Sequence, residues 1–119
     1  MKQYNKLTQA QKIIRTTKHN DKTRNMSNDL DIVFVENAIK DGCCWCGERN
    51  ISLTLDRLNN SIGHLKSNCV CACIRCNLFR TNIPIEAWQE LAKAMRDTRE
   101  KGLFGGWTGK IKKSNQKKP

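Results

Sequence analysis

The sequence predicts an α+β fold, in which a small hairpin followed by a helix is closed at its base by paired cysteines and flanked by further helices and basic arms. Three observations predict it. Two pairs with the same internal spacing, Cys43-x-x-Cys46 and Cys73-x-x-Cys76, bracket one short segment. Inside it, Ile51, Leu53 and Leu55 alternate with Ser52 and Thr54, which is the period of a strand. Beyond it, Ile85, Trp88, Leu91, Ala92 and Met95 recur at helical spacing up to about Glu100.

In chain order, residues 1–26 hold one helical stretch, Thr8 to Thr17, whose only strong apolar pair is Ile13 and Ile14; the segment reads as a basic N-terminal arm. Residues 27–100 read as the folded domain. Ser27, Asn28 or Asp29 can cap a helix that carries Leu30, Val33, Phe34 and Ala38 on one face and is ended by Asp41-Gly42. Gly47 then turns the chain into the first strand, and Asp56, next in register after Leu55, falls on the face opposite the apolar one. Asn59-Asn60-Ser61-Ile62-Gly63 is a turn-rich loop, and His64 to Val70 is an extended return. A helix is predicted around Cys71 to Arg80, and on it Cys73, Cys76, Asn77 and Arg80 share one face. Pro84 suits the first position of the helix that follows, with Trp88 in its core face. Gly102, Gly105, Gly106 and Gly109 interrupt regular structure, so residues 101–119 read as a Gly/Lys-rich basic tail.

The cysteines set the frame. A Cys-x-x-Cys turn puts two thiolates on one side of a tight loop, and two such turns supply the four soft ligands that tetrahedral zinc prefers. A chain of 119 residues and 13.7 kDa makes one domain with a small core, for which a structural metal is the usual support. Seven cysteines are an odd number, which argues against a closed disulfide framework. Cys44, Cys69 and Cys71 read as small buried hydrophobes, although Cys44 could stand in for Cys43 as a ligand. No apolar run approaches the roughly 18 residues of a membrane span, and Met1 to Asn5 do not lead into a secretory segment. A reducing, cytoplasmic setting is therefore expected, with no secretion and no membrane partner.

Net charge is +11, with +6 in residues 1–24, +6 in residues 101–119 and −1 between them. Cationic flanks on a neutral core suit a polyanion, and nucleic acid is the commonest one. Solubilising tails that bind nothing specific are the plainer alternative. Between the cysteine pairs, a strand ending in Asp56 and a helix carrying Asn77 can offer a carboxylate and an amide oxygen to one hard divalent cation such as Mg²⁺ or Mn²⁺.

At these residues the chain resembles the HNH (ββα-metal) endonucleases, in particular the zinc-stapled branch found in phages, restriction enzymes and junction resolvases of the endonuclease VII type. The resemblance is carried by Cys43-Cys44-Trp45-Cys46-Gly47, Leu55-Asp56-Arg57-Leu58-Asn59-Asn60, Gly63-His64, Asn68-Cys69-Val70 and Cys73-Ile74-Arg75-Cys76-Asn77, about a third of the chain. It implies a ββα-metal core with structural zinc on Cys43, Cys46, Cys73 and Cys76, a catalytic cation on Asp56 and Asn77, and Asn68 orienting the loop. It also implies a DNA phosphodiesterase acting on duplex or branched DNA in a bacterial or phage-infected cell, as a monomer or a homodimer.

One position departs from the family pattern. Most members have the general-base His directly after the acid, where this chain has Arg57. His64 is the remaining choice, because imidazole titrates near neutrality and can take a proton from water; a phosphate or metal contact and a bystander role are the alternatives. Arg57 is too basic for proton abstraction and is expected to clamp a phosphate, as are Arg80 and the tail residues Lys110, Lys112 and Lys113. For Arg57 and Arg80 a solvated surface position is the competing reading. Trp45 is expected to pack over the metal site, Trp107 could stack on DNA, and His19, far from any motif, has no assigned role. A non-catalytic zinc module that binds nucleic acid is the alternative for the whole chain; the pairing of Asp56 with Asn77 argues against it.

Overall fold

The structure, a computed structural model, describes residues 6–111. Helix α1 spans Gln9–Thr23 and begins at Thr8, whose hydroxyl accepts from the Gln11 amide while the Gln11 side chain accepts from the Thr8 N–H. Ala10, Ile13, Thr17 and Asp21 are buried at spacings of three and four, so α1 presents a face to α2 and β1. The segment expected as an arm is thus a longer helix that contributes to the core. Ile14, half of the apolar pair seen in the sequence, is only half-buried.

Helix α2 covers Ile32–Ile39 and is capped by Asp31, which accepts from the Phe34 amide at 2.9 Å. The expected caps Ser27, Asn28 and Asp29 lie too early, because Asn28 and Asp29 are engaged elsewhere, on Leu30 N–H and Lys66 N–H respectively. Starting the helix at Asp31 shifts its phase: Leu30 and Val35 are buried and Val33 is 62% exposed. Gly42 ends the turn with φ +85 and donates its N–H to Ile39 O.

Strands β1 (Leu53–Arg57) and β2 (Cys69–Cys73) form an antiparallel pair with Leu53 opposite Cys73 and Arg57 opposite Cys69. The chain between them is a loop with one 3₁₀ turn at Lys66–Asn68, not the extended return expected from His64. Helix α3 is correspondingly shorter than the sequence suggested, Ile74–Arg80, because Cys73 is its N-cap. Helix α4, Ile85–Glu100, follows Pro84 and buries Trp88, Ala92 and Met95, while Leu91 stays 45% exposed. Trp88 is fully buried, stacked edge-on against Trp45 at 6.1 Å, and truncating such a residue costs about 3–5 kcal/mol. Among the described residues no helix is long and apolar enough to cross a membrane.

Candidate metal centre and active-site cleft

Cys43 and Cys46 sit in the loop before β1, and Cys73 and Cys76 at the junction of β2 and α3, so the two turns meet at the base of the hairpin, away from its connecting loop. Their four sulfur atoms lie within 4.8 Å of one another, all buried. Zinc–sulfur bonds of about 2.3 Å place tetrahedral ligands about 3.8 Å apart, and Cys46 Sγ to Cys73 Sγ is 3.7 Å. The amides of Cys46 and Cys76 each point at the sulfur three residues back, 3.4 Å away. Hydrogen bonds from the other three thiols, Cys46 first, drive the Cys43 pKa far below its usual value, while contacts within the same cluster, Cys43 first, push those of Cys73 and Cys76 up. Cys44 is exposed, and the four-sulfur cluster is formed with Cys43 rather than Cys44.

A buried ion pair ties the two turns together. Arg75, inside the second turn, reaches Glu48, just past the first, at 3.2 Å. Arg75 also donates to Trp107 O at 2.8 Å and lies 4.3 Å over the Phe104 ring, so residues 104–107 are fastened to the core. Trp107 stacks on Phe104 and keeps 52% of its surface exposed. On the other side, Arg99 and Arg96 of α4 donate to Cys46 O and Cys44 O. The sequence reading missed the Glu48–Arg75 pair, whose partners stand 27 positions apart.

The acid and the amide expected to hold a hard cation lie on the two sides of the β1–α3 contact, Asp56 on β1 and Asn77 on α3. Asn77 donates through Nδ2 to Thr54 Oγ1 at 2.8 Å, and one turn on, Arg80 donates to Asp56 Oδ1 at 2.7 Å. Asp56 Oδ2 accepts weakly from the Trp45 indole at 3.3 Å. Burial raises the Asp56 pKa above the usual carboxylate value, against the opposing pull of Arg80 and Trp45. Arg80 is only 2% exposed and also donates to Arg57 O and Leu58 O, so its guanidinium is turned into the fold and away from any DNA backbone. Of the helix face expected from the sequence, Asn77 and Arg80 do lie together against β1, whereas Cys73 is the last residue of β2 and the N-cap of α3.

Arg57 clamps its own loop through Nη1, donating to Asn60 O at 3.0 Å and Ile62 O at 3.1 Å. Asn68 acts on the same loop, accepting from Asn59 N–H and donating to the carbonyls of Asn59, Ile62 and Gly63. Lys110 is exposed, whereas Lys112 and Lys113 lie outside the described residues. His19, on α1, is exposed.

The loop docks against the α1–α2 connection at Gly63, where a Cβ would stand 2.0 Å from Ser27 O; no side chain fits. This approach delivers His64 to α1. His64 N–H donates to Asp21 Oδ2 at 2.8 Å, and its ring Nδ1 lies 3.1 and 3.0 Å from the two carboxylate oxygens. Burial lowers the His64 pKa below 6.5 despite the raising influence of Asp21. Nε2 makes no hydrogen bond among the described residues, and His64 lines a cleft of about 440 Å³ between α1 and β1, together with Lys12, Thr16, Asn20, Thr54 and Asn77. The sequence reading did not find Asp21. Its signal was present: the single acid among seven basic residues in positions 1–24, in phase with Ile13 and Thr17 on the buried face of α1.

The hairpin, the helix it feeds and the four-cysteine cluster at its base define an HNH-like α+β fold. Among solved structures the chain is similar to the rare-cutting HNH restriction endonuclease PacI, with a TM-score of 0.68 and 17% sequence identity over 86% of this chain and 87% of that one. Among curated proteins it is similar to uncharacterized protein R423 of Acanthamoeba polyphaga mimivirus, 33% identical over 55 residues, which is 44% of this chain and 10% of that protein. The chain thus spans about a tenth of that relative's length. No family model matches the chain.

Proposed function

We propose that this chain is an HNH-type endonuclease that hydrolyses DNA phosphodiester bonds, belongs to the zinc-stapled phage and restriction branch, and acts in the cytoplasm of a bacterial or phage-infected cell. The observation that carries the reading is the imidazole of His64, held through Nδ1 by Asp21 and lining a cleft of mixed polar and apolar residues between α1 and β1. Zinc on Cys43, Cys46, Cys73 and Cys76 fixes the two ends of the β1–β2 hairpin. Nε2 of His64 takes the proton of the attacking water, Lys12 and the hydroxyl and amide groups of α1 bind the phosphate strand, and the nitrogens of Arg57 not engaged by its loop contact a neighbouring phosphate. Asn77 retains an amide oxygen, and Asp56 has acceptor capacity beyond the two contacts it makes with Arg80 and Trp45, so both fit a hard cation. A Mg²⁺- or Mn²⁺-type ion bound there supplies charge neutralisation at the scissile phosphate.

The test is incubation of the pure protein with supercoiled plasmid and Mg²⁺ or Mn²⁺, with and without EDTA. Nicked or linear product that disappears with EDTA is expected. A zinc-loaded, folded protein that binds plasmid yet never cuts it would favour a non-catalytic zinc module.

A further inference from the structure

We propose that Asp21 is a positioning residue for His64: the α1 carboxylate fixes the imidazole proton on Nδ1 and so keeps the Nε2 lone pair facing the cleft. The inference rests on the nuclease reading, in which His64 is the base. Asp21 is 1% exposed, and among the described residues its side-chain hydrogen bonds go to His64 and Asn28. Oδ2 accepts the His64 backbone N–H at 2.8 Å and the Asn28 amide at 2.9 Å, while both oxygens face Nδ1 at 3.0 and 3.1 Å. Burial alone would raise the Asp21 pKa, but the hydrogen bonds from His64 and Asn28 outweigh it and leave the pKa below the usual value. An ionised carboxylate only accepts, so the ring nitrogen beside it must donate. The charged groups that bear on the ring are Asp21 of α1, Arg24 just past its end and Arg57 of β1.

The geometry also says what an isosteric change would do. In Asp21→Asn the two donors on Oδ2, a backbone N–H and the Asn28 amide, select the amide oxygen for that side. The new NH₂ then occupies the Oδ1 position, 3.1 Å from Nδ1, where it can only donate. Nδ1–H keeps as acceptor only the amide oxygen at 3.0 Å, already shared with two other donors, and meets the new NH₂ at 3.1 Å, so the balance shifts towards the Nε2–H tautomer, in which Nε2 has no lone pair for the water.

The experiment is ¹⁵N NMR of the His64 ring in wild-type and Asp21→Asn protein, beside single-turnover cleavage of supercoiled plasmid with Mg²⁺. Neutral wild-type His64 is expected as the Nδ1–H tautomer and the variant as Nε2–H, with cleavage reduced about 10²–10⁴-fold and plasmid binding retained. A wild-type ring protonated on Nε2 would overturn the proposal, as would a variant that keeps the wild-type tautomer and cuts within a fewfold. If Asp21→Asn does not fold, the wild-type tautomer alone decides. A His64→Ala protein that cuts at the wild-type rate would overturn the proposal by removing His64 as the base, whereas wild-type protein that binds plasmid and never cuts it would overturn the nuclease reading beneath, with the tautomer still deciding what Asp21 does to the ring.

Discussion

Removing the Asp56 carboxylate should do two separable things. Asp56 and Arg80 are paired at 2.7 Å with side chains only 5% and 3% exposed, and Arg80 Nε has no hydrogen-bond partner among the described residues. Asp56→Ala therefore strands a buried guanidinium, a change that typically costs about 3–5 kcal/mol. In a domain of this size each kcal/mol moves the melting temperature by roughly 4–8 °C, so a fall of more than about 10 °C is expected. Asp56→Asn keeps an amide oxygen for Arg80 and should lose distinctly less. Both variants lose the negative charge offered to the hard cation, so both should lose Mg²⁺-dependent plasmid cleavage. Calorimetry and a cleavage assay on the two proteins separate the effects. A melting temperature within a few degrees of wild type for Asp56→Ala would refute the buried pair, and wild-type cleavage by Asp56→Asn would refute its role in holding the cation.

Three further outcomes follow from the same geometry. One zinc per chain should be found by elemental analysis, and Cys73→Ser should lose it and unfold residues 43–80, since binding and folding free energy are here the same quantity. Deleting residues 109–119 removes five lysines and should flatten the dependence of log Kd on log salt by about 0.9 for each phosphate that the tail would otherwise neutralise; an unchanged slope would show that the tail binds nothing. Glu48 and Asp21 have pKa values below 4.5 and 3.8, held there by hydrogen bonds and charges that outweigh burial. Their contribution is therefore fully present above those values and lost as pH falls through the folded-state pKa values, and Glu48→Gln with Asp21→Asn should flatten the acid limb of stability against pH.

The parts of the fold that were legible in the sequence are those whose chemistry is local or repeats a spacing. The repeated Cys-x-x-Cys spacing marks the four-sulfur cluster, alternation marks β1, and Pro84 with its apolar repeat marks α4. Element ends were less legible, because they depend on a single cap: Asp31 resets the phase of α2 and exposes Val33, and Cys73 delays α3 so that Cys71 lies in a strand. Packing between distant segments was not legible. Nothing within a window around Asp21 indicates that it meets a histidine 43 positions later, and helical periodicity placed Arg80 on one face without saying that β1 would cover it.

The most direct test of the account is single-turnover plasmid cleavage by His64→Ala and wild type across a pH series. Because burial lowers the His64 pKa below 6.5, the wild-type rate should rise through a pH lower than that value and level off by neutrality. His64→Ala should be slower by about 10²–10⁴ on that plateau while binding zinc and DNA as wild type does. A variant within a fewfold of wild type at every pH would contradict the account, since the water would then be activated without His64.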